Sequence, residues 1–255
     1  CNRYNFTINK TKTIKGVKMY IISEIFPQHG GNLLMAEQMI LQSKISGASA
    51  VKMQLYPDNM FSNDNYDRSH FTLSFDGLKR LNEYSNKVGI TIFATAFTEE
   101  TLDWCKELDF PFLKVPSRMH KENPDLIEKI YSADKDVFVS VPEDIDFDSI
   151  QKTKKAKYLY CISKYPTLLE EVNFPKFSND GYVGFSDHSI GIAAALYASV
   201  RGCKILEKHF TISKAFQKSS EKAHLGAMDE ADLRNIYNLS NEFELIGNKP
   251  KKISD

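Results

Sequence analysis

The sequence has few cysteines and no long hydrophobic run. Its four cysteines, Cys1, Cys105, Cys161 and Cys203, include no C-x-x-C spacing, and three of them lie within apolar segments. Buried free thiols are usually found in such segments, and they favour a reducing, cytoplasmic location. No stretch approaches the roughly 18 apolar residues of a membrane span, so we expect no membrane partner.

An excess of charge of either sign is also absent. Lysine and arginine total 33, as do aspartate and glutamate, and the formal net charge is +0. Such a chain lacks the global field that attracts nucleic acid, so we expect no nucleic-acid partner. A local cationic pocket for a small anion is still compatible with this balance.

The length and the pattern of apolar runs favour a single (β/α)8 TIM barrel, an α/β fold of about 250 residues. Short β-rich runs alternate with segments of helical character, which indicates parallel strands joined by crossover helices. Eight strands are predicted, at residues 19–25, 50–56, 90–97, 112–117, 137–141, 158–165, 182–188 and 204–211. We assign residues 1–18 to an N-terminal extension, 19–255 to the barrel, and 57–75 to an insertion over the barrel mouth.

Polar side chains occupy strand faces on which a barrel interior should carry branched aliphatic residues. They are Glu24, Lys52, Gln54, Lys114, Ser140, Ser163, Tyr165, Ser186, His188, Glu207 and His209. Any single serine could belong to a structural hydrogen-bonded network. Two lysines, two histidines and two glutamates together favour an active site, because buried charge is costly and barrel enzymes carry their sites at the carboxyl ends of the strands.

The two histidines predict a metal site beside an anion site. One helix and one strand separate His188 from His209, which places them on adjacent strands at similar height. Two imidazoles there can hold one divalent ion and leave positions open for substrate or water. Lys52 and Lys114 are directed at the same mouth and suit a doubly anionic molecule that carries phosphate or carboxylate.

At the level of motifs, residues 184–191 (GFSDHSIG) and 207–211 (EKHFT) resemble the metal-binding signature of the N-acetylneuraminate (sialic acid) synthase family. Three further segments are similar to that family's phosphoenolpyruvate-binding strands and its sixth strand: 50–54 (AVKMQ), 112–117 (FLKVPS) and 161–166 (CISKYP). The resemblance runs from about Met19 to the end of the last helix. We expect this chain to lack the family's small C-terminal antifreeze-like domain.

This resemblance implies a transferase that condenses phosphoenolpyruvate with a sugar aldehyde, releases phosphate and forms a 2-keto-3-deoxy sugar acid. His188 and His209 would bind a divalent ion, manganese first and magnesium or cobalt as substitutes, and Glu24 would carry a proton. The implied substrate-binding residues are Lys52, Gln54, Thr95, Lys114, Ser117, Ser140, Ser163, Tyr165 and Ser186. The expected partners are phosphoenolpyruvate, a sugar aldehyde and a second copy of the chain in a homodimer.

The sequence departs from the family pattern on the sugar side. The family's Glu-x-Gly-x-Asn-His-x-Gly after strand one reads EIFPQHGG at residues 24–31, which keeps only the glutamate, the histidine and the last glycine. The family's acidic sugar contact falls at Met119, and its later Asp-His pair falls at Ser220 and Glu221. We therefore expect an acceptor smaller than N-acetylmannosamine or differently decorated.

Two other functions fit parts of the pattern. A Schiff-base aldolase would use Lys164, but strand parity directs this lysine away from Ser163 and Tyr165. A non-catalytic barrel that has lost the sugar site would bind phosphoenolpyruvate or metal without turnover.

Overall fold

The computed structural model describes residues 19–56, 71–217, 222 and 225–247. Eight parallel strands form a closed barrel in which β1 pairs with both β2 and β8, so the predicted TIM barrel is confirmed. The strands are β1 Tyr20–Glu24, β2 Ala50–Leu55, β3 Thr91–Ala96, β4 Phe112–Val115, β5 Asp136–Pro142, β6 Ala156–Cys161, β7 Tyr182–Asp187 and β8 Ile205–His209. The predicted N-terminal extension and most of the predicted insertion, residues 57–70, lie outside the described residues.

Helices cover the outside of the barrel. They are α1 Leu33–Ile45, α2 Phe75–Val88, α3 Glu99–Glu107, α4 Met119–Glu122, α5 Pro124–Ser132, α6 Ala193–Val200 and α7 Glu230–Gly247. Side-chain caps explain where several begin: Thr98 caps α3, and Asn123 caps α5 with Pro124 at its first position. No helix in the described part of the chain is long and apolar enough to cross a membrane.

Two of the connections between strands contain no α-helix, although the alternating pattern predicts one in each. Between β5 and β6 the Asp146 side chain accepts a hydrogen bond from Asp148 N at 3.0 Å, a local turn that competes with helix. Between β6 and β7 the chain forms only a short 3-10 helix, Leu169–Glu171, between Pro166 and Pro175. Prolines are unfavourable inside helices, which accounts for the difference.

Aromatic rings close the lower part of the barrel interior. The Phe138 ring lies 6.0 Å from Tyr20, 5.3 Å from Phe93 and 5.1 Å from Phe112, so side chains of β1, β3, β4 and β5 meet across the barrel. Each strand then presents its next inward residue one layer higher, at the carboxyl end. The polar side chains are therefore supported from below by a packed apolar layer.

Several strands end earlier than predicted. Strand six was predicted to reach residue 165, but its pairing with β7 ends at Cys161, which is opposite Ser186. Ser117, Ser163 and Tyr165 therefore lie in the loops that follow β4 and β6. These loops carry functional side chains above the barrel, as is usual in this fold.

Candidate active site

A cavity opens at the carboxyl ends of the strands and collects nearly all of the predicted site residues. The lining includes Glu24, Lys52, Gln54, Lys114, Ser117, Ser140, Ser163, Tyr165, Ser186, His188, Glu207 and His209. Thr95 differs, because it is fully buried behind Lys52, whose ammonium donates to its hydroxyl at 3.4 Å. Thr95 therefore supports a lysine instead of lining the cavity.

Four buried charged groups form the floor of this cavity. The Lys52 ammonium lies 2.5 Å from Glu24 Oε2 and 2.6 Å from Glu207 Oε1. Lys114 Nζ lies 3.5 Å from Glu207 Oε2. Two lysines and two glutamates balance one another, which lowers the large cost of removing each charge from water.

These surroundings raise the pKa of two of the four groups and lower the pKa of the other two. Burial lowers the pKa of Lys52, but Glu207 and Glu24 outweigh it and hold the pKa above its usual value. Burial lowers the pKa of Lys114 to about 8, because its partner Glu207 is more distant and Lys52 repels it. Burial raises the pKa of Glu24, in opposition to Lys52. Burial alone would raise the pKa of Glu207, yet Lys114 and Lys52 bring it down to about 2.

Hydroxyl groups surround the two ammonium groups. Lys114 Nζ donates to Ser140 Oγ at 2.8 Å, and Ser186 Oγ donates to Glu207 Oε2 at 3.0 Å. Ser163 Oγ donates to Ser117 Oγ at 2.7 Å from the opposite loop. Ser140 and Ser117 accept in these bonds, so their own O–H groups can donate to an anion, and Ser186 and Ser163 can do so once their O–H groups rotate away from their present acceptors. This part of the cavity can therefore hold phosphate and carboxylate oxygens.

His188 and His209 both face the cavity, with their ring centres 6.2 Å apart. His188 Nδ1 donates to Ile162 O at 2.8 Å, which leaves the lone pair of Nε2 available. Histidines that bind metals usually donate their other ring N–H in this way. Burial also lowers the pKa of His188 to about 4, which keeps the imidazole neutral.

These residues fit a metal site with few protein ligands. Within the residues described, no group of three or more histidine, cysteine, aspartate or glutamate side chains is arranged to hold a metal. A site made by His188 and His209 would therefore be open, with its other positions left for substrate and water. Tyr165 packs beside it, with its ring 4.0 Å from His188 and 6.2 Å from His209.

A buried ion pair behind the histidines was missed from the sequence. Lys208 Nζ donates to Asp187 Oδ2 at 2.9 Å and to Ser189 O at 2.6 Å, and the side chains of both charged residues are fully buried. The pair connects the end of β7 to β8, and both residues are among those that line the cavity. The sequence does contain a signal for this ion pair: an aspartate directly before His188 and a lysine directly before His209.

A second wall of the cavity was also missed. Phe97 and Arg118 line it beside Gln54, and Tyr56 stacks on Phe97 with ring centres 4.2 Å apart. Lys164, in contrast, is not part of the lining and pairs on the surface with Glu171. Lys164 lies in the loop after β6, so its surface ion pair, and not strand parity, argues against it as a Schiff-base residue.

Several known proteins are similar to this chain in sequence. Residues 39–251 match the NeuB family. The chain is 26% identical to N,N'-diacetyllegionaminic acid synthase of Legionella pneumophila, over 97% of this chain and 81% of that protein. It is 28% identical to human N-acetylneuraminate-9-phosphate synthase, over 84% of this chain and 68% of that protein.

Among solved structures, the fold is similar to an N-acetylneuraminic acid synthetase from Leptospira borgpetersenii. The TM-score is 0.79 and the identity 23%, over 93% of this chain and 88% of that one. The similarity to the Leptospira structure supports the barrel fold. The family match covers most of the sequence, including Lys52, Lys114, His188 and His209. The chain belongs to the NeuB family.

Proposed function

We propose that this protein condenses phosphoenolpyruvate with a sugar aldehyde to form a 2-keto-3-deoxy sugar acid and phosphate. The observation that carries the proposal is the convergence of two buried lysines, several hydroxyls and two histidines on one cavity. The synthase activities named for the Legionella and human relatives support it.

In this mechanism Lys52 and Lys114 bind the anionic groups of phosphoenolpyruvate. Ser140 and Ser186, already hydrogen-bonded to Lys114 and Glu207, complete the anion site together with the Ser117–Ser163 pair. Positioning of this kind fixes C3 of phosphoenolpyruvate next to the acceptor, which removes much of the entropic cost of a two-substrate reaction.

The condensation then requires a proton at the acceptor oxygen. C3 forms a bond to the aldehyde carbon while the aldehyde oxygen takes a proton, and water adds at C2. The C2–oxygen bond to phosphate then breaks, which leaves the ketone and inorganic phosphate. Glu24 is the proton carrier in this scheme, because its carboxyl lines the cavity and burial raises its pKa above the usual value, so that it takes up a proton more readily than an exposed carboxylate.

His188 and His209 would hold a divalent ion, manganese first and magnesium or cobalt as alternatives, which supplies Lewis acidity to the aldehyde oxygen when bound. The neutral imidazole of His188, oriented by Ile162 O, suits this role.

The test is a phosphate-release assay with manganese, phosphoenolpyruvate and a panel of hexosamines and pentoses. Phosphate should appear only when an accepted aldose is present, and the product should exceed the aldose by the mass of one pyruvic acid. Glu24→Gln should lower kcat by about 10²- to 10⁴-fold. No turnover with any aldose would contradict the proposal.

Lys164→Met is the matched control, because Lys164 is paired with Glu171 outside the cavity. We expect it to retain full activity, whereas a Schiff-base aldolase would lose it and would be trapped by borohydride with pyruvate. Calorimetric binding of phosphoenolpyruvate without any turnover would instead favour the non-catalytic barrel.

A further inference from the structure

Arg118 is a cavity-lining cation for which the condensation scheme has no role. Its guanidinium carbon lies 4.6 Å from the centre of the Phe97 ring and 5.6 Å from that of Tyr56. Its Nη2 donates to the Tyr56 hydroxyl at 2.8 Å, and that hydroxyl donates to Gln54 Oε1 at 2.7 Å. The aromatic contacts and this hydrogen-bonded chain hold the guanidinium in one place at the cavity wall.

Most hydrogen-bond donors of this guanidinium have no strong partner among the described residues. Arginine carries five N–H donors. Within the part of the chain that the structure describes, Arg118 has the hydrogen bond to Tyr56 and an ion pair of Nε with Glu122 Oε2 at 3.5 Å. The side chains of that pair are 43% and 54% exposed, so water weakens it. The remaining edge is suited to a carboxylate or phosphate, which arginine binds through two parallel hydrogen bonds.

The position that the family resemblance assigns to an acidic sugar contact carries no charge in this chain. The acidic sugar contact of the family falls at Met119, which is only 2% exposed and does not line the cavity. The segment lines the cavity with Pro116, Ser117 and Arg118, of which Arg118 alone is charged. This segment therefore presents a cation to the cavity and no acid.

Arg118 is also placed to meet the far end of an acceptor. In the closed strand order β4 lies opposite β8, so Arg118, which follows β4, is across the cavity from His209 at the end of β8. If the acceptor's aldehyde is held at His188 and His209, as the proposed function requires, its far end would reach across the cavity to this wall. The anionic groups of phosphoenolpyruvate already have the buried ammonium groups of Lys52 and Lys114.

We propose that Arg118 is a specificity-determining residue that selects an acceptor sugar with an anionic group, phosphate or carboxylate, at the end remote from its aldehyde. This inference rests on the proposed function, since it names the acceptor class of the same site. It assigns Arg118 to the acceptor and not to phosphoenolpyruvate.

The test compares acceptors that differ only at C6: N-acetylmannosamine, its 6-phosphate and its 6-uronic acid. In the native protein, kcat/KM should be at least about tenfold higher for the 6-phosphate, the uronate or both than for the neutral sugar. Arg118→Gln should lower kcat/KM for the favoured anionic acceptor by about 10- to 100-fold and leave the KM for phosphoenolpyruvate unchanged. Arg118→Lys keeps the charge but loses the two parallel N–H donors of the guanidinium. Its kcat/KM for the favoured anionic acceptor should therefore lie between the values of the native protein and of Arg118→Gln.

Lys121→Gln is the control, since it removes the same charge from the short helix α4 that follows Arg118, where Lys121 pairs with Asp144 and does not line the cavity. It should behave like the native protein. The inference would be overturned if the native protein preferred the neutral acceptor. It would also be overturned if Arg118→Gln lowered kcat/KM equally for all acceptors or raised the KM for phosphoenolpyruvate.

A binding experiment separates this inference from the proposed function. The three acceptors reduced to their alditols lack the electrophilic aldehyde and cannot react, so they can be titrated calorimetrically against protein loaded with phosphoenolpyruvate. Tighter binding of an anionic alditol that is lost in Arg118→Gln supports the inference even if no aldose is turned over. Equal binding of that alditol by native protein and variant overturns it even if turnover is observed.

Discussion

Lys52 and Lys114 are both buried in the same cavity, yet they differ in electrostatic behaviour. Lys52 has two carboxylates within 2.6 Å, whereas the ion pair of Lys114 with Glu207 is 3.5 Å long. The pKa of Lys52 is consequently raised, and that of Lys114 is lowered to about 8. Lys52 is therefore a permanent cation, whereas Lys114 changes charge within an accessible pH range.

This difference predicts a pH dependence of phosphoenolpyruvate capture. Lys114 is charged below its pKa of about 8 and neutral above it, in a setting that also includes Glu207, Lys52 and Cys161. We expect kcat/KM for phosphoenolpyruvate, which reports the free enzyme, to fall above about pH 8. Calorimetric affinity for phosphoenolpyruvate should fall over the same range.

Lys114→Arg is the informative variant, because arginine does not lose its proton at these pH values. If the variant keeps measurable activity, the fall above pH 8 should disappear. Lys164→Arg on the surface should leave the pH dependence of kcat/KM unchanged. If the affinity of the native protein for phosphoenolpyruvate stays constant from pH 7 to about pH 9.5, the pH dependence cannot be assigned to Lys114.

At the scale of elements, the strands and most cavity-lining residues could be predicted from the sequence because period-two alternation separates inward from outward side chains. Loop contacts could not be predicted in this way. Ser163 and Tyr165 were assigned to a strand, but they lie in a loop, where parity no longer determines direction. Arg118 was missed because its position depends on the Phe97 and Tyr56 rings, which come from other segments of the chain.

The ends of β7 and β8 depend on the buried pair of Asp187 and Lys208. Lys208→Met leaves the Asp187 carboxylate buried without a counter-charge, which should cost about 3–5 kcal/mol of unfolding free energy in a denaturant titration. Adding Asp187→Asn should recover part of this loss. The exposed pair of Lys152 and Asp148 is the comparison, and its removal should change stability little.

Gly226 limits the position of the segment that carries His188. A Cβ at residue 226 would lie 2.5 Å from Ser189 O and 3.0 Å from His188 O, so Gly226→Ala must displace this backbone. We expect manganese affinity to fall about 10- to 100-fold while the circular dichroism spectrum is retained. Gly181→Ala, which meets only the flexible Ser178 hydroxyl at 3.0 Å, should bind manganese normally.

For the whole molecule, the closed barrel links ligand binding to global stability. The cavity is lined from six of the eight strands, namely β1, β2, β4, β5, β7 and β8, and from the loop after β6. A ligand held by all of them binds the folded state alone, and such binding stabilises by mass action. The stabilisation should therefore appear as a shift of the entire unfolding transition.

Phosphoenolpyruvate at about 100 times its Kd, with metal removed to prevent turnover, should raise Tm by roughly 5–10 °C. Lys52→Met and Lys114→Met should lose most of this shift, whereas Lys164→Met should keep it. An unchanged Tm for the native protein at that concentration would show that phosphoenolpyruvate does not bind here.

Closure of the barrel also determines when the cavity can exist during synthesis. Glu24 on the first strand is in register with His209 on the last, and Phe210 N donates to Glu24 O at 2.7 Å. A nascent chain that has not yet emerged as far as Glu207 leaves Lys52 with only one of its two carboxylates, and the outer edges of β1 and β7 are unpaired. Emergence of β8 therefore neutralises the charged floor, seals the sheet and brings the two histidines together in one late step of folding.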